Sequence, residues 1–485
     1  MSQQLFKKVL VALWGLFLLS AVIYYVVGGE QLRYAAVDTG EMVHATNDVG
    51  ELTTGKNVVQ TFTINGTEIC TIRLLGSSYE RDVGGVLGLT IEDSNSQLIY
   101  TENIDMARFS DSDEIRIDVN PAIPCTPNSP LALKMEVIDG STGSVPTLYY
   151  GSSISLARGE ADITLEDHDK VSVDSDLLDG MLCFQVSGRR ALWLGTYYWL
   201  LVLVAAGGLA LFSGYTLVCV RRGKQTVFVR IIAAFCKYSF LLEQLIARDF
   251  KGKYKRSILG VLWSFLNPML MMTVQYVVFS TIFKSDIENF AVYLLTGIVC
   301  YNFFNEATSM ALTSIVGNAA LITKVYIPKY IYPVSRAMSS MINFLLSLIP
   351  LLVMMLVTKT PLTAAVVLLP FAIWCLLMLS LGVGMVLASS MVFFRDTQFL
   401  WNVLSMVWMY MTPIFYPENI VSGWLSYIFK LNPLYHIIRF FRIILLSGIS
   451  PEPKAYLLCF VAAALPLIIG ISIFRKTEDR FVLHI

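Results

Sequence analysis

Long hydrophobic runs at two places in the first half of the chain predict membrane spans. Two lysines precede 19 apolar or small residues, Val9 to Val27, and a second run occupies residues 191–220. Each is long enough to cross the hydrocarbon core of a bilayer as a helix. No small-x-small cleavage site follows the first run before GGE. We therefore predict a retained signal anchor over residues 1–28 and a second transmembrane helix over 191–220.

Residues 29–190, between these runs, show a different periodicity. Short segments of alternating apolar and polar residues are separated by clusters of Gly, Asn, Asp, Ser and Pro. The segments read VVQTFTI, CTIRLLG, LGLTIED, EIRIDV, LALKMEVID and MLCFQVS. A period of two turns one face of a strand toward a core, and the turn-forming clusters are typical of antiparallel sheets. The pattern predicts an all-β sandwich inserted between two spans.

The remaining chain is predicted to form a transmembrane domain over 258–485, preceded by a basic interface segment over 221–257. With the first two spans, the apolar runs make about eight, at roughly 262–283, 291–315, 334–357, 362–391, 398–416 and 454–474. The stretch 417–453 is too apolar for a solvated loop and too charged for a span, so we expect two short outer re-entrant helices there. The predicted fold class is an α-helical polytopic membrane protein with an inserted all-β sandwich.

Composition and charge agree with a membrane location. Hydrophobic residues make up 55% of the 485 residues and charged residues 15%. Residues 30–190 hold 26 Asp and Glu against 11 Lys and Arg, whereas residues 221–256 hold two against ten. Because positive segments stay in the cytoplasm, the basic segment is predicted inside and the acidic domain outside. Anionic lipid, a polyanionic substrate or a cytoplasmic subunit explains the basic cluster, and no nucleic-acid partner is predicted.

The sequence predicts neither a metal site nor a catalytic group. Eight cysteines lack CxxC or Cys/His spacing, and only four histidines are present. Cys70, Cys125 and Cys183 fall in the outer domain, whose location permits disulfides; three cysteines cannot all pair within one chain, and any pairing is left open. Residues 50–56, GELTTGK, have the spacing of a phosphate-binding loop, but Asn57 replaces the Ser or Thr that holds magnesium and no helix is expected after it. We predict no cofactor in this chain.

Seven pieces of the C-terminal half resemble the ABC-2 permeases that export O-antigen, capsular polysaccharide or teichoic acid. They are YKRSILGVLWSFLNPMLMM, GIVCYNFFNEAT, NAALITKVYIPKYIYPVSR, VFFRDTQFLWNV, MTPIFYPENI, LNPLYHIIRFFR and FRKTEDRF. The resemblance covers about residues 240–485, and typical members lack the first 220 residues. It implies a bacterial inner-membrane homodimer working with two copies of a separate cytoplasmic ATPase, which holds the ATP and Mg²⁺. The implied substrate is a glycan on an undecaprenyl-diphosphate carrier.

The basic segment is a candidate entry site for that carrier. Apolar residues line one side of a predicted amphipathic helix over 240–256, which we expect to lie in the inner membrane interface. The cations are Arg248, Lys251, Lys253, Lys255 and Arg256. If the substrate bears a diphosphate, as the resemblance implies, these residues stand where it would be captured. The alternative is that they only anchor the helix at lipid headgroups.

The predicted inner loop 316–333 corresponds, by the resemblance, to the helix on which the ATPase pushes. We expect Asn318 to cap a short helix and Pro328 to stiffen its exit. The coupling candidates are Asn318, Leu321, Lys324, Tyr326 and Pro328, with Arg395 and Asp396 at the second inner turn. A passive connector and a local Arg395-Asp396 ion pair are the alternatives.

Aromatic residues mark a candidate glycan path through the spans. A charge at Glu306, near the middle of a span, costs roughly 2.5–3.5 kcal/mol, so Glu306 is expected at a helix interface or a wet cavity. Aromatic rings stack on sugars without a fixed hydrogen-bond register, which suits a sliding polymer. The candidates are Tyr276, Phe279, Phe283, Tyr301, Phe304, Glu306, Trp401, Trp408, Tyr410, Phe415 and Tyr416. Core packing or a membrane-interface belt is the alternative for each ring.

Residues 57–105 of the outer domain are similar to jelly-roll, carbohydrate-binding-like domains of bacterial surface-glycan membrane proteins. The similarity rests on strand rhythm and on the phrases QTF and LxLxIxD. It implies that the domain receives the emerging glycan, with Tyr79, Tyr100, Tyr149 and Tyr150 as stacking candidates. Strand packing is the alternative for each tyrosine, and stabilising a dimer or recruiting an outer partner is the alternative for the domain.

Together these features predict the membrane subunit of an ABC exporter for lipid-linked polysaccharide, without catalytic residues of its own. Two alternatives are a membrane-bound glycan-modifying enzyme or its docking subunit, and an ABC-2 exporter of small hydrophobic compounds. The sequence shows no convergent Asp, Glu and His group at the outer ends of the spans, which argues against an enzyme.

Overall fold

Two units of different architecture share the chain in a computed structural model. The first comprises Met1–Gln31 and Trp199–Ile485, and the second is Leu32–Tyr198. The structure describes residues 3–40, 42–109, 113–140, 145–156, 159–162, 169–174, 176–222, 227–254, 262–281, 289–324, 327–416 and 424–484.

The second unit contains two antiparallel sheets. Within the described residues its strands are β1 (Tyr34–Asp38), β2 (Asn47–Asp48), β3 (Asn57–Thr63), β4 (Glu68–Ser77), β5 (Val86–Glu92), β6 (Leu98–Asp105), β7 (Asp113–Pro124), β8 (Pro130–Asp139), β9 (Thr147–Gly151), β10 (Ser153–Leu156), β11 (Gly159–Asp162), β12 (Ser172–Val173), β13 (Asp176–Leu177), β14 (Met181–Leu182) and β15 (Phe184–Ala191). One sheet has the order β1-β15-β4-β9-β14, with β7 also paired to β4 and β2 to β9. The other has the order β13-β12-β3-β8-β5-β6, and β10 and β11 form a separate ribbon.

The alternating segments of the sequence form these strands, which confirms the all-β prediction. Val58, Gln60 and Phe62 of β3 face the core and their neighbours face outward. Gln60 is polar, yet its buried amide is satisfied: Nε2 donates to the carbonyl of Asp169 at 2.9 Å, and Oε1 accepts from the backbone N–H of Leu182 at 3.0 Å. This side chain links β3 to β14 through the core.

The phosphate-loop-like residues 50–56 form a turn between two strands. The Lys56 ammonium donates to the backbone carbonyls of Val49 and Glu51, the latter at 3.2 Å. The strand β3 follows directly, whereas a nucleotide loop opens a helix whose N-terminus faces the phosphates. The turn therefore uses the lysine to bind its own backbone.

Helices form most of the first unit. The α-helices in the described part of the chain are α1 (Gln3–Arg33), α2 (Trp193–Thr196), α3 (Tyr198–Arg221), α4 (Val227–Tyr254), α5 (Leu262–Thr281), α6 (Phe290–Leu312), α7 (Ala319–Ile322), α8 (Ile331–Val357), α9 (Leu369–Phe393), α10 (Thr397–Tyr410), α11 (Trp424–Leu431), α12 (Pro433–Arg442), α13 (Pro453–Thr477) and α14 (Phe481–His484). The short α2 lies in the second unit, which also holds the last two residues of α1 and the first of α3. A polytopic helical protein with an inserted β domain is thus confirmed.

Five segments in the described part of the chain are long and apolar enough to cross a membrane. They are Phe6–Arg33, Tyr198–Arg221, Ile331–Val357, Ala364–Phe393 and Pro453–His484. The 20 residues of α5 and the 23 of α6 also have spanning length.

The helix predicted at 398–416 is shorter than expected. Its 14 residues in α10 extend about 21 Å, less than the hydrocarbon core. The helix ends at Tyr410 because Pro413 follows closely, and the residue before a proline disfavours helical backbone.

The central element of the first unit is α6. Eighteen of its 23 residues are buried, and α5, α8, α9, α10 and α12 pack around it. A helix that is apolar around its whole circumference belongs in the middle of a bundle. These five helices therefore surround the one that carries Glu306.

Small residues let α9 and α13 approach closely. A Cβ atom added at Gly382 would collide with the backbone of Pro466 and Leu467, and one added at Gly470 would collide with the backbone of Gly382. Small residues at helix crossings allow such backbone contact inside membranes.

The two short helices expected in 417–453 are present as α11 and α12. Asn432 separates them, and its Oδ1 accepts from the backbone N–H of Leu434 at 3.0 Å, which caps α12. Pro433 occupies the first turn, where it needs no hydrogen-bond donor. Most of α12 is buried in the helical core.

Candidate functional site

The amphipathic helix α4 packs against the inner ends of the bundle. It is longer than the predicted 240–256 and is described from Val227 to Tyr254. Its apolar residues Leu241, Leu242 and Leu245 join a cluster with Ile322, Tyr332 and Phe474 and other residues of the inner loop, α8, α9 and α13. The position of α4 is thereby tied to the helices around it.

A first polar contact joins α4 to the central helix. The Lys253 ammonium lies 2.9 Å from Oε1 of Glu306, and Nδ2 of Asn343 on α8 donates to the same oxygen at 2.6 Å. Glu306 thus faces the interface of α4, α6 and α8. Its neighbours offset the cost of a carboxylate within a span.

A second polar contact lies one turn earlier on α4. The Asp249 side chain is only 4% exposed, with Arg248 at 2.9 Å and Arg336 of α8 at 3.3 Å. Both terminal nitrogens of Arg248 also donate to Oδ1 of Asn318 at 3.3 Å. We call these two contacts the polar seam, which consists of Arg248, Asp249, Lys253, Glu306, Asn318, Arg336 and Asn343.

The expectation that the Asn318 side chain caps a helix is wrong. Asn318 precedes α7, but it makes no side-chain capping bond. Its Nδ2 donates to the carbonyl of Ser314 at 2.7 Å, and its Oδ1 accepts from Arg248. The amide is therefore occupied in connecting the end of α6 and its loop to α4.

The predicted entry cations fall into three groups. Arg248 and Lys253 lie beside carboxylates in the polar seam. Lys251 is exposed and borders an apolar groove of about 420 Å³ between α4 and α8, together with Leu242, Phe250 and Ile342. Lys255 and Arg256 lie outside the described residues. Capture of a diphosphate by these five side chains stays a prediction.

The inner loop around α7 is held from two sides. Ile322 is buried and Leu321 is partly buried in the cluster shared with α4, while Lys324 is exposed. The Lys329 ammonium donates to the backbone carbonyl of Glu478, a contact with the C-terminal segment that sequence reasoning missed. Pro328 is half-buried at the loop exit.

The other coupling candidates are less constrained or undescribed. Arg395 and Asp396 are exposed at the start of α10. Tyr326 lies outside the described residues.

Four of the aromatic candidates form one cluster between α6 and α10, in which Tyr301, Phe304 and Trp401 are buried and Trp408 is half-buried. The ring centroid of Phe304 is 6.3 Å from that of Trp401 and 5.2 Å from that of Trp408, and the two indoles are 6.2 Å apart. The Tyr301 hydroxyl donates to the carbonyl of Ser405. These contacts fit the packing alternative for these rings.

The remaining path candidates are spread over the bundle. Tyr276 is 41% and Tyr410 is 59% exposed, whereas Phe415 is buried and Tyr416 is half-buried. The side chain of Phe279 and all of Phe283 lie outside the described residues. A glycan path along these residues stays a prediction.

Arg442 is a buried cation that sequence reasoning treated only as a sign of a poor span. Its guanidinium carbon lies 3.4 Å from the centroid of the Tyr293 ring. Its terminal nitrogens donate to the carbonyls of Pro413 at 2.7 Å and Ile414 at 3.1 Å. A Cβ at Gly297 would approach Arg442 to 3.1 Å, so this glycine is the sequence signal for a close neighbour.

The four candidate tyrosines of the outer domain separate into two locations. Tyr79 is exposed in the turn after β4, with the Arg81 guanidinium carbon 5.0 Å from its ring centroid, whereas Tyr149 is half-buried on β9. Tyr100 lies on β6 in the other sheet. Burial is the largest cause that raises the pKa of its hydroxyl to about 12, and the hydrogen bond to Glu102 contributes to the same rise. Tyr150 packs against the sandwich core.

These features define a class of protein: a multi-pass membrane protein whose amphipathic helix and loop around α7 are linked by polar contacts to a helical bundle. Residues 241–446 match the family model described as ABC-2 type transporter. The chain belongs to this family and is a multi-pass protein of the inner membrane.

Three relatives illustrate the similarity. The chain is 30% identical over 243 residues to the O-antigen export system permease protein RfbA of Klebsiella pneumoniae. This alignment covers 50% of this chain and 93% of that protein. It is 28% identical over 255 residues to RfbA of Myxococcus xanthus, covering 52% and 98%. It is 24% identical over 248 residues to the polysialic acid transport protein KpsM of Escherichia coli, covering 50% and 95%.

Proposed function

We propose that this chain is the membrane subunit of an ATP-driven exporter that moves lipid-linked polysaccharide across the inner membrane. The observation that carries the proposal is the match to proteins named as O-antigen export permeases over 93% and 98% of their lengths. A relative named for polysialic acid transport matches over 95% of its length. The shared chemistry of these cargoes is a long glycan.

The energy for transport comes from ATP hydrolysis on a partner protein. Two copies of the chain work with two copies of a cytoplasmic ATPase, which holds the ATP and Mg²⁺, and this chain performs no catalysis. Exposed Lys324, next to a short helix packed against α4, supports the loop as the contact for that ATPase. The Arg248 to Asn318 contact supports a path by which loop movement reaches α4.

The substrate enters at the end of α4. A glycan on undecaprenyl diphosphate needs a cationic site for its phosphates and an apolar surface for its carrier. Lys251, at the edge of the apolar groove, supports both requirements. A diphosphate reaching Lys253 would compete with Glu306 for the ammonium group, so entry and the polar seam are coupled.

The test is the intermediate that accumulates when the gene is deleted. We expect full-length lipid-linked glycan inside the inner membrane, and its return to the surface when the wild-type gene is restored. A matched strain with an inactivated partner ATPase should accumulate the same material. Surface glycan of normal amount and altered structure would instead indicate a modifying enzyme, and normal glycan throughout would indicate a different cargo.

A further inference from the structure

We infer that α1 is a strut that connects the start of α4 to the short helix α12, and that Tyr24 is the positioning residue at the α12 end. The family model covers residues 241–446, so α1 lies outside the part of the chain that it describes. The inference rests on the proposed function, because the strut affects how ATP turnover is converted into export.

One face of α1 is turned toward other helices along its length. Phe6, Leu10, Phe17, Ala21 and Tyr24 follow one another at intervals of three, four or seven residues, which places them on one side of a helix. Phe6, Leu10 and Ala21 are buried, and Phe17 and Tyr24 are half-buried. Large apolar residues on the opposite side are exposed, namely Val11, Val22 and Val26. A stripe of this kind is the docking face of a helix.

Near its start, α1 packs on α4. Phe6 and Leu10 form a buried cluster with Val229 of α4, and Leu217 and Val220 of α3 pack against this cluster. Because α4 is one helix of 28 residues, this contact is joined through the helix itself to the polar seam nearer its other end.

Near its other end, α1 reaches α12 through a chain of rings. The ring centroids of Tyr24 and Tyr456 of α13 are 4.8 Å apart, and those of Tyr456 and Phe440 of α12 are also 4.8 Å apart. Both pairs are edge-to-face, a geometry that favours a fixed orientation. Phe371 of α9 lies 5.3 Å from Tyr456, whose hydroxyl is 3.1 Å from Oγ of Ser450. Tyr24 therefore closes one side of the ring that supports Phe440.

Helix α3 holds α1 at two further points. Nε1 of Trp14 donates to Oγ of Ser213 at 3.3 Å, and the ring centroids of Tyr25 and Trp199 are 5.0 Å apart. Within α1 the backbone departs from helical geometry only at Gly29, beyond all of these contacts. The part of α1 between its two docking sites is thus one braced helix, and a shift of α4 is passed along it to the rings beside α12.

The first measurement is hydrogen–deuterium exchange of the full-length protein in lipid nanodiscs. Tyr24→Ala should raise the exchange of the α12 amides about threefold, because Tyr456 loses an aromatic partner and supports Phe440 less firmly. Tyr24→Phe should exchange as the wild type does, since the ring remains. Tyr25→Ala is the matched control: it removes a tyrosine from the next position, whose ring packs on Trp199 instead, and should leave α12 unchanged.

The second measurement is the amount of glycan exported per ATP hydrolysed, in vesicles that also contain the partner ATPase. Tyr24→Ala should lower this ratio about threefold without lowering ATP turnover, and Tyr24→Phe should restore it. A residue that served only to stabilise the fold would lower the melting temperature and leave the ratio unchanged.

A double variant tests whether α1 itself carries the connection. Phe6→Ala, at the α4 end, should lower the ratio as Tyr24→Ala does, and the two changes together should be no worse than either alone. Disconnecting a strut at one end already removes what disconnecting the other end would remove. The two side chains are about 27 Å apart along the helix, a distance over which independent effects add.

Three results would overturn the inference: unchanged exchange of α12 in Tyr24→Ala, an equal rise in Tyr25→Ala, or additive losses in the double variant. None of them touches the proposed export function, which depends on the intermediate in the deletion strain. Conversely, the absence of trapped glycan would refute export, and the exchange measurement would still decide whether Tyr24 positions α12.

Discussion

The Lys253 ammonium on α4 lies 2.9 Å from Oε1 of Glu306 on α6, which joins the amphipathic helix to the central, largely buried helix of the bundle. Asn343 binds the same carboxylate oxygen from α8. Three elements therefore share one acceptor, and a movement of α4 changes the surroundings of a charge inside the bundle.

This contact predicts rescue by charge exchange. Glu306→Lys should reduce export and lower thermal stability, because Lys253 then faces a like charge and Asn343 loses its acceptor. Adding Lys253→Glu should restore part of both. We expect a coupling free energy of about 1 kcal/mol in a double-mutant cycle, since the Lys253 side chain is 44% exposed and screened.

The control for this cycle is Lys251→Glu. Lys251 is exposed on the same helix and lines the groove instead of touching Glu306. It should not rescue Glu306→Lys in thermal melts of the purified protein. Equal rescue by both would show that only the net charge of α4 matters.

The inner loop is predicted to transmit force. Lys324→Glu or Pro328→Ala should lower export while the protein stays inserted and the complex still hydrolyses ATP, because Lys324 is exposed and its loss removes no packing. Export and ATP turnover are measured in the same reconstituted vesicles. Lys476→Glu, an exposed cation at the end of α13, is the control and should be neutral. Normal export by both loop variants would move the coupling contact to the turn at Arg395.

The phosphate-loop-like turn predicts no nucleotide chemistry. The purified chain should not hydrolyse ATP, and Lys56→Met should leave ATP turnover of the complex unchanged. The same variant should destabilise the sandwich by about 1 kcal/mol, because the ammonium bonds to the carbonyls of Val49 and Glu51 are lost. ATP turnover that survives removal of every co-purifying ATPase would contradict this expectation.

Thiol reactivity in the outer domain should follow burial. Burial raises the pKa of Cys183 to about 12. Burial is also the largest cause that raises the pKa of Cys125, and the negative charges of the nearby Glu68 and Cys70 raise it further. A raised thiol pKa leaves less thiolate at pH 8, and the thiolate is the form that reacts. In the folded protein, iodoacetamide should therefore label Cys183 most slowly, with a rate that climbs as pH rises from 8 toward 10. In denaturing detergent the three cysteines should react alike, as mass spectrometry of the peptides can show.

Much of the architecture was predictable because it depends on local periodicity. The alternation that buries Val58 and Phe62 of β3 and the 19-residue run in α1 are properties of neighbouring residues. Such patterns decide which face of a strand is buried and whether a helix can cross a bilayer. The motifs of residues 240–485 also predicted the ABC-2 permease family, because the order of motifs along the chain can be read directly from the sequence.

What each polar or aromatic side chain touches was decided by the tertiary structure. Lys253 and Glu306 are 53 positions apart, and Arg248 and Asn318 are 70 apart. Asn318 had the right position to cap α7, yet its amide binds Arg248 and Ser314, which only the packing of α4 brings within reach. Phe304 and Trp401 looked equally suited to a channel wall and to a core, and the approach of α6 to α10 buries them. Sequence alone therefore determined which elements form and which face of each is apolar, whereas partner choice follows from how those elements pack, because contacts between distant residues require the whole bundle or sandwich to be assembled first.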